Sequence, residues 1–415
     1  MLELAAAGAI GKEAGPTQYE IDWNRMISLA EEQTVKHLVA YAIKKAKYLN
    51  CPLSVRQALQ ADLRLAAFAN VSQQEAVFAI LSELSEQGFS PILLKGYSLA
   101  EYYYAPECRI SGDVDIWIDP HYEKEACNFF VSKGFSVDAR GKNEHHSVCY
   151  HPTLGCVELH VFLYGRLARD IWFSNMDERT LVVEERVHCD TGAGPYTTLG
   201  YTDNLLFLTL HMMKHFIHSG MSLRMMLDVA LFFRASKQLV NVERYWNTLR
   251  EMRLDYAVQS ILWIMISYCG FSKVDFPGVC EKEPANLQMI LDDLENGGAL
   301  GYKEKKQREE GGREYSYRKM VKEMGIVQYR KYMFKWKMEL YRKLAFTSKD
   351  MLVEKYPVLH RAPCLLPLAR IYRFVVRGLK FLFRKSKTRY TRSDTDQVCD
   401  IAKDRVRLFQ ELKMI

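Results

Sequence analysis

Asp113 and Asp115 stand two residues apart in the stretch DVDIWI, residues 113–118. Alternate residues of a strand point to one face, so both carboxylates project to the same side. Like charges this close repel, and burying them is costly unless something positive lies between them. Two arrangements fit: a solvent-facing strand edge, or a divalent cation site. Mg2+ favours octahedral oxygen coordination and takes one or two protein carboxylates, with phosphate oxygens completing the shell. Two-metal phosphoryl-type transfer asks for a further carboxylate. Glu158, in the strand-like run GCVELHVFL, supplies one. Phosphates also need donors that approach closely. Gly96 follows the apolar run ILLK and precedes a helical stretch, which permits that approach beside a helix N-terminus. A lone D-x-D or a lone turn glycine is common. The ordered series of strand, glycine, helix, D-x-D strand, helix and later acid is more specific.

Other residues have both a chemical and a plain reading. Arg109, four residues before Asp113, can pair with a carboxylate or a phosphate, or lie on a surface loop. Lys95 can reach a phosphate or point to solvent at the strand end. His211 and His215 share a helix face at a spacing that suits zinc, but the glutamate of an HExxH motif is missing. Arg224 and Asp228 are also i and i+4, in an otherwise apolar helix. A structural ion pair is the first reading of them and a nucleotide contact the second.

The elements that must position these residues follow from periodicity. Helical spacing runs from Tyr19 to Gln87, with separate helices near Ala58–Ala69 and Ser72–Gln87 and a stop at Gly88. Short β-branched runs then alternate with helices: Pro91–Leu94, Val114–Ile118, Phe135–Val137, Ser147–Tyr150 and Cys156–Phe162. A helix containing Tyr102, Tyr103 and Tyr104 is expected between the first two strands, and another over Tyr122–Ser132. Helices return over Asp203–Ile217, Ser222–Ala235, Val242–Glu251 and Tyr256–Cys269, with Thr202 or Asp203 and Ser222 as N-caps. The predicted fold class is α+β: a small mixed sheet with N-terminal helices and a larger C-terminal helical region. The expected organisation is a helical segment over 1–88, an α/β core over 89–200, a helical domain over 201–294, a linker or mobile loop over 295–316 and a basic helical region over 317–415.

Bulk properties narrow the classes. A chain of 415 residues exceeds one ordinary core. Ten cysteines without a CxxC pair argue against a zinc ribbon or a disulfide framework. No signal peptide and no run of about 18 apolar residues is found, so no transmembrane helix is expected and the setting reads as cytoplasmic. The net charge of +7 is uneven: residues 301–415 carry 30 basic and 13 acidic side chains, +17, which leaves −10 on the rest. Such a basic third suits a phosphate-rich partner or an anionic membrane surface, and equally a solvated helical face. Within it, apolar Leu365, Leu368, Ile371, Phe374 and Leu379 alternate with Arg370, Arg373, Arg377 and Lys380. That pattern reads as a peripheral membrane helix or as a stripe packed on its own domain.

The ordered acids and glycine resemble the nucleotidyltransferase superfamily that includes DNA polymerase β. More closely, LLKG, Arg109, DVDIWI, VELH, HMMKHF, LRMMLDVALF and YPVLHRAPCLLPLARIYR resemble an uncharacterised bacterial nucleotidyltransferase family. The resemblance spans most of residues 90–380, though only the central segment carries specific motifs. It implies that Asp113 and Asp115 bind metal, with Glu158 as general base or second-metal ligand. It puts Gly96 and Ser98 at the phosphates, and Lys214 stands where related transferases often present a basic residue to the triphosphate. Lys95, Arg109 and Arg224 are further candidate nucleotide contacts, with Asp228 and His160 as candidate supports. Two departures from the family pattern stand out. Tyr97 follows the glycine, so Ser98 comes one place late, and the interval to Asp113 is long. The implied activity is transfer of a nucleotidyl group from an NTP to a hydroxyl of a protein, an RNA or a small molecule, with Mg2+ or Mn2+ and release of pyrophosphate. The alternative is a catalytically inactive module of the same fold that docks a partner protein or an anionic membrane.

Overall fold

In the computed structural model, the described residues are 1–15, 20–138, 146–164, 185–192, 194–297 and 404–415, with scattered positions between 312 and 372. The chain divides into two compact units, Met1–Tyr315 with Ala402–Ile415, and Ser316–Ile401. The described positions of the second unit include a short helical stretch at 366–369. The basic stripe expected over 365–381 lies for the most part outside the described residues. So does most of the linker expected over 295–316, whose first residues instead close a helix that runs to Gly297.

The first unit has the α+β architecture read from the sequence. Helices α1 (Leu2–Ile10), α2 (Trp23–Glu32), α3 (Lys36–Lys45) and α4 (Leu53–Glu86) precede the sheet. The two helices expected around residues 58–87 are one continuous α4 of 34 residues. Asn70, which lies between the two expected helices, is buried in mid-helix. Its amide donates to the Glu107 and Arg109 carbonyls, at 3.3 and 3.4 Å, instead of capping a helix end. That contact docks the loop which leads into the D-x-D strand.

The strands are β1 (Ile92–Leu93), β2 (Asp113–Trp117), β3 (Ser136–Asp138), β4 (His146–His151) and β5 (Gly155–His160), in the spatial order β1-β2-β5-β4-β3. β2 and β5 are parallel and the other neighbours antiparallel. Helix α5 (Glu123–Ser132) forms as expected. The expected tyrosine-rich helix is a 3-10 segment, Gly96–Tyr102, after which Tyr103 is extended. A hairpin of β6 (Arg186–Thr191) and β7 (Gly194–Leu199) was not read from the sequence.

The core explains which face carries chemistry. Val114 and Ile116 of β2, Val157 and Leu159 of β5 and Cys149 of β4 bury with Phe78, Leu81 and Leu84 of α4 and Phe129 and Phe130 of α5. Alternation sends Asp113, Asp115, Glu158, His160 and His146 to the opposite face. Helices α6 (Tyr201–His218), α7 (Leu223–Ser236), α8 (Val242–Glu251), α9 (Asp255–Cys269) and α10 (Leu287–Gly297) complete the unit. Ser222 caps α7 through its hydroxyl, as expected. Gly200, not Thr202 or Asp203, stands at the N-cap of α6, because the helix begins earlier. The Thr202 hydroxyl accepts from the Asn241 N–H, at 2.9 Å. At the C-terminus Phe409 packs edge-on against Phe216 and Tyr315, and Arg405 pairs with Asp293. No helix among the described residues is long and apolar enough to cross a membrane.

Candidate functional site

The parallel register sets Asp115 beside Glu158 and Trp117 beside His160. On the other side of β5, antiparallel pairing sets His146 against His160. Asp113, Asp115 and Glu158 thereby present carboxylate oxygens that all lie within 4.8 Å of one another. Had Glu158 fallen one residue out of register, it would face the core. The Asp113 side chain is 40% exposed, Glu158 26% and Asp115 not at all, so the group grades from solvent inward.

Side-chain nitrogens already face these acids. Lys95 Nζ lies 2.8 Å from Asp115 Oδ2 and 3.0 Å from Asp113 Oδ2. His160 Nε2 lies 2.9 Å from Asp115 Oδ1 and 3.4 Å from Glu158 Oε2, and His146 Nε2 is 3.7 Å from Glu158 Oε1. Burial alone would raise the Asp115 pKa, but Lys95 and His160 outweigh it and hold the carboxyl well below its ordinary value. Glu158 is likewise held low, burial being offset mainly by its hydrogen bond with His160. Lys95 and His160 are both raised: burial disfavours their charge, and the carboxylates more than restore it. His146 is lowered, chiefly by burial.

Gly96 turns the chain away from the acids at φ +72°, where a Cβ would come within 3.0 Å of Ser111 Oγ. Beside it opens a cavity of about 160 Å³, lined by Lys95, Gly96, Ser111, His211, His215 and Arg224 among others. Lys214 of α6 is charge-coupled to Glu158, Lys95 and Asp115, and burial holds its pKa below the ordinary lysine value. The His211 and His215 rings pack edge to face 4.6 Å apart. Among the described residues the groups with converging metal donors do not include them.

Three sequence expectations change on inspection of the contacts. The Ser98 hydroxyl donates to the Leu94 carbonyl at 2.6 Å and is buried, so it turns back into its own segment. Arg109 is buried and grips Asp228 with two prongs, Nε to Oδ1 at 2.9 Å and a terminal nitrogen to Oδ2 at 2.7 Å. Its remaining terminal nitrogen donates to Ser111 Oγ at 2.7 Å, so each guanidinium nitrogen already has a protein partner. Asp228 therefore pairs with Arg109 and not with Arg224, which donates to the Ile110 carbonyl at 2.7 Å. The fork of Arg109 matches a carboxylate better than a neighbour on the same helix can. Together with Asn70, these contacts hold the loop that delivers Asp113. His146, Tyr103 (hydroxyl to Asp228 Oδ1, 2.7 Å) and Ser111 were missed. Only the β4–β5 register could have pointed to His146, and no local spacing to the other two.

A sequence profile described as "Uncharacterised nucleotidyltransferase" matches residues 19–270, more than half of the chain, and covers every acid of the site. The chain belongs to this uncharacterised nucleotidyltransferase family. No curated protein matches it. A solved structure, an antigenic nucleotidyltransferase-like protein from Paracoccidioides brasiliensis, is 13% identical with a TM-score of 0.29, over 40% of this chain and 77% of that one. Within the family match fall both the sheet that carries the acids and the helices α6 and α7 that line the adjoining cavity.

Proposed function

We propose that this nucleotidyltransferase-family chain moves a nucleotidyl group from a nucleoside triphosphate to a hydroxyl acceptor and releases pyrophosphate, in the manner of the polymerase β superfamily. The supporting observation is the convergence of Asp113, Asp115 and Glu158 on one sheet face, within 4.8 Å. An all-oxygen donor set of this kind fits a hard divalent cation, Mg2+ or Mn2+. Asp113, Asp115 and Glu158 would hold it, and its charge would neutralise the transferring phosphate and help to orient the attacking oxygen. The new bond joins the acceptor oxygen to the α-phosphorus while the bond to the β-phosphate breaks. Glu158, ionised and partly exposed, accepts the hydrogen bond of the acceptor hydroxyl and takes its proton or passes it to water. His160 keeps Asp115 and Glu158 oriented from below. Lys214 and the open backbone at Gly96 face the phosphates, where fixed charge does more than it would in water.

A second reading has one observation in its favour: Lys95 and His160 already balance the acids, as they would in a catalytically idle binding module. In that case the basic C-terminal third would dock a partner or an anionic membrane. Incubation of the chain with each labelled NTP and Mg2+, offered protein, RNA and small-molecule acceptors, separates the two. Label transfer that Asp115→Asn abolishes supports the enzyme. Silence with every nucleotide and acceptor, alongside liposome binding, supports the module.

A further inference from the structure

The cation that already touches both aspartates is Lys95. Its ammonium contacts Asp115 Oδ2 and Asp113 Oδ2 at 2.8 and 3.0 Å, the acids to which the proposed function assigns a divalent ion. This is no loose surface pair, since the Lys95 side chain is 14% exposed and Asp115 fully buried. The backbone aims it there. The Leu94 N–H donates to the Asp115 carbonyl at 3.0 Å, so the strand end runs beside β2, and Gly96 then turns the chain away. Without Lys95, the metal-free chain would hold two adjacent carboxylates against their own repulsion, with Asp115 out of water.

One pair of carboxylates has no room for an ammonium and a divalent ion at the same oxygens. A lysine is suited to give way: it is a compact charge on a flexible four-carbon stem. The direction of escape is also present. The cavity that Lys95 lines is continued by Gly96, Ser111 and Arg224, beside Asp113, where nucleotide phosphates would enter.

We propose that Lys95 is an exchangeable counter-ion: it holds Asp113 and Asp115 in the metal-free chain, yields them to the divalent ion, and carries its charge onto the triphosphate that enters with it. The proposal rests on the metal-site reading above. It makes Lys95 a positioning residue before the reaction and a phosphate contact during it. It also makes metal and nucleotide binding cooperative, because Lys95 leaves the acids more readily when a phosphate receives it.

The test measures Mn2+ binding by the full chain, with and without a non-hydrolysable NTP, for the natural protein, Lys95→Met and Asp115→Asn. Lys95→Met is expected to bind Mn2+ about tenfold or more tighter without nucleotide, since a unit charge leaves direct contact with both ligands. It is also expected to lose the strengthening by nucleotide that the natural protein shows. Equal or weaker Mn2+ binding by Lys95→Met, with binding abolished in Asp115→Asn, overturns the role of Lys95 and leaves the metal site standing. Absence of Mn2+ binding in both the natural protein and Lys95→Met removes the metal site, and the exchange with it. Should Lys95→Met fail to fold, acetylation of the natural protein followed by peptide mass mapping decides. Labelling of Lys95 is expected to rise several-fold on adding Mn2+, and unchanged or reduced labelling overturns the proposal.

Discussion

Asp228→Ala should destabilise the protein severely although Asp228 is remote from the three acids in sequence. Asp228 accepts two nitrogens of Arg109 at 2.9 and 2.7 Å and the Tyr103 hydroxyl at 2.7 Å, all buried. Truncation leaves a buried guanidinium whose only remaining partner of this set is Ser111, close enough to Arg224 to feel its like charge. Breaking one side of a buried ion pair costs about 3–5 kcal/mol, most of it the desolvation of the orphaned charge. For a unit of this size that corresponds to a fall in Tm of about 4–7 °C. The assay is urea unfolding of Asp228→Ala, Arg109→Met and the double variant. The expected pattern is a large loss for Asp228→Ala, an unchanged slope with denaturant, and a double variant much less unstable than the sum of the singles. A loss below about 1 kcal/mol for Asp228→Ala, or strict additivity, would refute the view that this pair pins the loop before β2.

Two further outcomes follow from single residues. Gly96→Ala places a side chain at φ +72° and within 3.0 Å of Ser111 Oγ, so it should cost about 1–3 kcal/mol in thermal unfolding and weaken nucleotide binding. Burial, aided by Lys214, pushes His218 down to about 4 and His215 to about 3. Each stays neutral in the folded chain where the unfolded chain, titrating near 6.5, already takes a proton. Stability should therefore fall as pH drops from about 6.5 towards 4 and 3, and these groups should contribute no slope above about 7. Denaturation midpoints of His218→Asn and the natural protein across that window check this. An equal acid slope in both would remove His218 as a cause.

Strands β1 to β5 were legible because alternation is a strong local signal: DVDIW puts two acids and two core residues on opposite faces with no knowledge of the neighbours. The same signal on GCVELH fixes the face of Glu158 once β5 is known to lie beside β2, which spacing alone does not reveal. The helical half was legible from apolar periodicity and from Ser222, a capping residue at a true boundary. The break expected between Ala69 and Ser72 does not occur, because Asn70 is held inside the helix by a tertiary contact with the loop carbonyls. Arg224 and Asp228 misled for a related reason. Their i, i+4 spacing is real, but Arg109, 119 residues away in sequence, offers Asp228 the better geometry. The ammonium of Lys95 on the acids was equally invisible, since the strand end could as well have turned it to solvent.

The central claim is that Asp113, Asp115 and Glu158 together hold a divalent ion against a nucleotide. Anomalous scattering from crystals grown with Mn2+ and a non-hydrolysable NTP tests it most directly. The account predicts a Mn2+ peak within bonding distance of carboxylate oxygens of Asp113, Asp115 and Glu158, with phosphate oxygens completing its shell. A nucleotide bound elsewhere, or Mn2+ absent from these oxygens while Lys95 still occupies them at saturating metal, would contradict it.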